Sequence, residues 1–131
     1  MTKQVREWYE MAAADLGGAK HLDATYYPKP LEIICYHCQQ AAEKAIKTLI
    51  MYFGEEGGMP KPHDLSFLLN QIKNKVSIEE KFYDYADALT PYGVAVRYPN
   101  ELFLEERHER EALQYADEIF QWVTEIVVEK D

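Results

Sequence analysis

Residues 31–53, LEIICYHCQQAAEKAIKTLIMYF, run without a glycine or proline, which gives room for about six uninterrupted helical turns. On a wheel of about 100° per residue centred on Ile34, the residues Cys38, Ala41, Ala45, Thr48, Leu49 and Tyr52 fall within about 60° of it, a stripe that faces a core. Leu31, Cys35, Ala42, Ile46 and Phe53 widen the stripe on one side, so neighbours must cover this helix on two flanks. It reads as the central helix of a bundle. On its opposite edge His37, Gln40, Lys44 and Lys47 line up donors and a titratable ring beside the buried stripe. That edge is the first place to look for a site.

The rest of the chain supplies the covering helices. A first helix is expected over about 2–22, with Thr2 as its cap and Val5, Trp8, Ala12, Ala19 and Leu22 on one face. Asp15 falls in the middle of that face. A carboxylate there needs a partner, and Lys44 and Arg97 are the candidates, which makes Asp15 a member of a polar core. Gly17 and Gly18 point to a close helix crossing or a bend. YYPKP at 26–30 is a connector, since each proline drives the residue before it out of the helical region. GEEGGMPKP after Phe53 is a long loop. Further helices are expected over about 64–75, with Leu65, Leu68, Leu69 and Ile72 inward, and over 78–89, with Ser77 as cap and Phe82, Tyr85, Ala86 and Leu89 inward. TPYGVAVRYP at 90–99 is an ordered loop. A last helix over about 105–129 turns Ala112, Ala116, Ile119, Val123, Ile126 and Val127 to the core. Its outer face is acidic, with Glu105, Glu106, Glu109 and Glu111 at the positive end of the helix dipole. No strand pattern, repeat or linker appears, so the expectation is all-α, a single up-and-down bundle of five helices and one domain over 1–131.

Composition narrows the function. With 131 residues one core can form without disulfides or metals. A net charge of −9 argues against duplex DNA, whose binding rests on phosphate neutralisation, but leaves room for a local basic pocket. No apolar run is long enough to span a bilayer, and the first residues lack the apolar stretch of a signal peptide, so a cytoplasmic protein away from membranes is expected, with Cys35 and Cys38 reduced. Ten tyrosines, among them Tyr26, Tyr27, Tyr92 and Tyr98 near helix ends, suit either a homodimer interface or simple capping of the core.

Several motifs suggest chemistry but also have a packing explanation. Cys35-Tyr36-His37-Cys38 has a two-residue cysteine spacing, but no strand precedes it and no second ligand pair matches it, so both cysteines read as small buried hydrophobes. Glu105-Glu106-Arg107-His108 holds one Glu-x-x-His where a paired-metal bundle needs two, and reads as a solvated helix start. No metal and no cofactor is expected. His63-Asp64 opens a helix, as a cap or as a site histidine. Arg97-Tyr98-Pro99 places a permanent cation in a loop, where a partly buried guanidinium wants a carboxylate or a phosphate.

Trp8 with Ala12 and Asp15-Leu16, then CYHCQQAAEKAIKTLI, KPHDLSFLL and a late Arg97-Tyr98-Pro99 together resemble the HEPN domain family, over Trp8 to about Val127. The glutamine pair followed by Ala-Ala-Glu-Lys-Ala is the specific part. The resemblance implies a homodimeric bundle of helices with a polar groove near the dimer axis. It further implies nucleotide or RNA binding, or ribonuclease activity in a toxin–antitoxin pair, alongside a minimal nucleotidyltransferase. Family nucleases carry an arginine followed four to six residues on by a histidine. Here Leu102, Phe103 and Leu104 follow Arg97, and His108 is eleven residues away, so the usual proton carrier is missing. His37 or His63 would have to supply it, with Arg97 stabilising the phosphate. The tyrosine that family toxins offer for silencing by nucleotide transfer cannot be matched to Tyr98. The resulting reading is a binder more than an enzyme, with His37, Gln40, Lys44, His63, Arg97 and Tyr98 as ligand-binding candidates and Arg97 and His37 as weak catalytic ones. The rivals are a metal-independent ribonuclease toxin and a purely structural interaction module.

Overall fold

The structure is a computed structural model that describes residues 1–54, 59, 64–93 and 103–128. Among these residues the chain is all helical: α1 (Lys3–Thr25), α2 (Leu31–Phe53), α3 (Leu65–Asn70), α4 (Glu80–Leu89), a 3-10 turn at Thr90–Gly93, and α5 (Glu106–Val127). The central helix falls where its uninterrupted run predicts. Its end is set by Gly54, whose φ of 66° lies in the left-handed region and lets its N–H reach the carbonyls of Ile50 and Met51.

Local chemistry fixes the other ends. The Thr2 hydroxyl accepts from the Val5 N–H at 3.2 Å and starts α1. Asp64 accepts from the amides of Ser66 and Phe67 and starts α3. At α5 the Glu105 N–H donates to His108 Nδ1 at 2.9 Å, so His108 serves a helix cap. α1 extends three residues beyond the expected Leu22, because the Tyr26 N–H bonds back to the Leu22 carbonyl and the Thr25 hydroxyl to that of His21. α3 stops at Asn70 and gives way to turns over 71–75, and α4 begins at Glu80 with Glu79, not Ser77, at its cap.

α2 packs chiefly against α1 and α5, with α3, α4 and the 3-10 turn closing the remaining side. Ile34, Ile46, Leu49, Leu65, Leu68, Leu69, Ile72, Leu89 and Ile119 fill the core without measurable exposure. The seams of α5 are closed by flat aromatic pairs, Tyr9 on Phe120, Phe82 on Trp122 and Tyr85 on Tyr115, with ring centroids 4.2 to 5.0 Å apart. Cys35 and Cys38 are free and buried, as packing requires.

Gly17 and Gly18 mark no close crossing, since a methyl group added at either would meet nothing within 4 Å. Glu109 does not lie on the solvated face of α5; it is fully buried. It stands one turn before Ala112 and two turns before Ala116, so it shares their inward stripe.

Candidate functional site

Asp15 meets the outer edge of α2, and Lys44 is the partner it takes among the described residues. The Asp15 carboxylate, on the α2-facing side of α1, accepts from His37 Nδ1 at 2.9 Å through Oδ1 and from Lys44 Nζ at 2.6 Å through Oδ2. His37 and Lys44 lie two helical turns apart on α2, so one carboxylate can clamp both. The cluster is partly open: the side chains of Asp15, Lys44 and His37 are 14%, 21% and 35% exposed. In the neutral ring, the proton on Nδ1 is held by Asp15 and Nε2 is left as an acceptor. With His37 protonated, the cluster carries one net positive charge inside a strongly acidic chain.

Beside it runs a second polar line that the sequence reading did not separate from the first. Gln40 Nε2 donates to Gln39 Oε1 at 2.7 Å, Gln39 Nε2 to Glu43 Oε1 at 3.2 Å, and Lys47 Nζ to Glu43 Oε2 at 3.1 Å. The Lys47 ammonium also stands 5.6 Å over the Trp8 ring. Gln39, Glu43 and Lys47 are all buried. Lys47 therefore does not belong to the open edge, while Gln40, half-buried, links the two lines. The signal was present in the four-residue spacing of Gln39, Glu43 and Lys47, which sets them on one side of the helix opposite Ile34. The sequence analysis gives Gln39 and Glu43 no role, because polar residue types carry no signal of burial. His63, Arg97 and Tyr98 lie outside the described residues.

A different carboxylate cluster sits where α1, α2 and α5 meet. Asp23 pairs with Lys29 at 3.0 Å across the connector. Next to them no donor reaches either oxygen of the buried Glu109. Burial first, then a hydrogen bond that the protonated acid gives to the Asp23 carboxylate, raises the Glu109 carboxyl to about 7. Asp23 is held below the ordinary carboxylate range by its neighbour Glu109 and then by Lys29. Burial first, then the charge of Glu109, pushes the Cys35 thiol up to about 12, and burial raises Cys38 as well, so neither is a nucleophile at neutral pH. A groove of about 430 Å³, lined by Lys29, Pro30, Leu31, Glu32, Ile33 and Leu104, opens at the connector and shares no residue with the Asp15 cluster. Among the described residues no three metal-ligating side chains converge, and no helix is long and apolar enough to cross a membrane.

Three solved structures align along nearly their whole length. A crystal structure described as an archaeal HEPN homologue superposes with a TM-score of 0.73 at 27% identity, covering 95% of this chain and 97% of that one. A protein of Thermus thermophilus superposes with a TM-score of 0.77 at 27% identity, covering 95% and 98%. A HEPN domain protein from Thermotoga maritima shares the fold, with a TM-score of 0.69 at 21% identity over 93% and 98%. No curated protein matches the chain. The sequence profile of the HEPN domain matches residues 5–127, and the chain belongs to the HEPN domain family.

Proposed function

We propose that the chain is a single HEPN domain, residues 1–131, that acts as a homodimer, binds a nucleotide or a short RNA segment, and works with a minimal nucleotidyltransferase. The observation that carries the binding reading is the Asp15 clamp. It fixes the His37 ring and the Lys44 ammonium on one partly open edge of a rigid helix. A fixed imidazole offers a charge-assisted donor to phosphate when protonated and an acceptor to a ribose hydroxyl when neutral. Gln40 adds an amide on the same edge, and His63, Arg97 and Tyr98, candidates from the sequence, are proposed as further ligand contacts.

Titration of the purified protein with ATP and with a short single-stranded RNA tests this. His37→Ala and Arg97→Ala are each expected to weaken binding about tenfold or more, the scale of one lost charge-assisted hydrogen bond. Unchanged affinity in both variants refutes the site. Sedimentation in the absence of ligand tests the dimer.

The Asp15–His37 pair also favours a second reading, a metal-independent ribonuclease. A carboxylate that orients imidazole Nδ1–H leaves Nε2 to take a proton from a ribose 2′-hydroxyl, whose oxygen then attacks the adjoining phosphorus as the 5′-oxygen leaves. Incubation with mRNA in EDTA separates the two. Cleavage abolished by His37→Ala supports the nuclease, and no cleavage at micromolar protein supports the binder.

A further inference from the structure

We infer that Glu109 is a proton-operated latch: while neutral it lets the first turns of α5 pack against the corner between α1 and α2, and on ionising it loosens that corner. The argument begins with position. Glu109 has no exposed surface, and no donor reaches either of its carboxyl oxygens, so once ionised it is unpaired, whereas the protonated acid can share its proton with Asp23. A carboxylate in that state is strongly disfavoured, whereas a neutral acid is tolerated. Among the described residues the groups that reach it are Asp23 at the end of α1, Lys29 in the connector, Cys35 and Cys38 on α2, and Glu106 on its own helix. Among the described residues Lys29 is the cation that can offset a charge on Glu109, and it is already engaged by Asp23 at 3.0 Å. Losing the proton therefore places two carboxylates in competition for one ammonium.

The corner is built to transmit that change. Lys29 lies between the last turn of α1 and the first turn of α2. Its backbone carbonyl accepts from the Leu31 N–H, and that of Pro30 from the Ile34 N–H, both at 3.0 Å, so the start of α2 hangs on the same short segment. Lys29 also walls the groove of about 430 Å³. A shift of its ammonium toward Glu109 alters the charge of that wall.

The sign follows from the raised carboxyl. It titrates near 7 in the folded chain and at 4.5 when unperturbed. Its stabilising contribution is present in acid and is lost as pH rises through about 7. Between pH 5.5 and 8.5 these two values give a rise of about 30-fold in the unfolding equilibrium constant from this group alone.

The test follows chemical denaturation across that pH range for the wild type and Glu109→Gln, with the other titrating groups common to both. The glutamine mimics the neutral acid, so the variant is expected to lose about 30-fold of the pH dependence. Carbon-13 NMR of the Glu109 carboxyl in the wild type is the second measurement and needs no variant. It is expected to titrate near 7, and Asp23→Asn is expected to lower its midpoint. Amide exchange, corrected for intrinsic pH effects, is expected to speed up selectively at Leu31 and Ile34 above the midpoint. A Glu109 carboxyl titrating in the ordinary range near 4.5 overturns the latch, as does a Glu109→Gln variant that keeps the full pH slope.

Discussion

Replacing Asp15 with asparagine keeps the shape of the side chain, removes its charge, and so isolates what the clamp contributes. In the native chain Oδ1 and Oδ2 each take one charge-assisted bond, from His37 at 2.9 Å and Lys44 at 2.6 Å. Such a bond contributes ~1.5–3 kcal/mol when well shielded. The shielding here is partial. Lys44 keeps 21% of its side-chain surface and His37 35%, so both can turn toward water, and the lysine pairing is worth less than a buried one. Asparagine also retains one carbonyl oxygen, enough for one neutral bond. The loss on Asp15→Asn is therefore about 1.5–2 kcal/mol, which lowers Tm by roughly 6–8 °C for a domain of this size. Urea denaturation of Asp15→Asn, Lys44→Met and the double variant gives the coupling, expected at ~1 kcal/mol. Nitrogen-15 spectra of His37 report the tautomer, and the Nδ1–H form is expected to lose its dominance in Asp15→Asn. Strict additivity of the two substitutions, together with an unchanged His37 tautomer, would refute the clamp and remove the support for His37 as an oriented site residue.

Gly93→Ala is expected to cost ~1–3 kcal/mol in urea denaturation, because the added methyl would stand 2.8 Å from Gln39 Cδ and 3.0 Å from its amide atoms. Two hydrogen bonds pin that amide, and pairing with Gln39→Ala should recover most of the loss. Glu43→Ala leaves the Lys47 ammonium buried without its carboxylate, a destabilisation of about 3 kcal/mol; adding Lys47→Met should return the part owed to the stranded ammonium, read from the same denaturation midpoints. Cys35 and Cys38 should ignore a thiol reagent at pH 8 until the chain unfolds, since burial excludes the reagent and raises both thiols; rapid labelling of the native protein would contradict this.

The helices were legible where apolar periodicity was strong and breakers were absent, as in α2, or where prolines punctuate the chain, as between Thr25 and Leu31. Boundaries slipped where the last turn is held by interactions that propensity does not register, such as the Thr25 hydroxyl on the His21 carbonyl. The Asp15–Lys44 pairing was legible because a carboxylate on a core stripe demands a cation. The burial of Glu43, Lys47 and Glu109 was not. Charged residue types are almost never fully buried, so a pattern reading assigns them to water unless the tertiary neighbours are known. For Glu109 the helical register with Ala112 and Ala116 was the available clue, and composition outweighed it.

The buried line of Gln39, Glu43 and Lys47 bears on how the central helix finds a unique orientation. Much of the surface that α2 offers its neighbours is small, with Ala41, Ala42 and Ala45 at the heart of the core. Small smooth surfaces pack acceptably at several rotations about the helix axis, so apolar burial alone leaves the angular setting weakly determined. Contacts that cross to α1 have no such tolerance: a turn of one residue, about 100°, would carry the Lys47 ammonium away from the Trp8 ring and release the Asp15 clamp. The polar residues thus act as an index mark that admits one angle, and the stability they cost or contribute is secondary to the alternatives they eliminate.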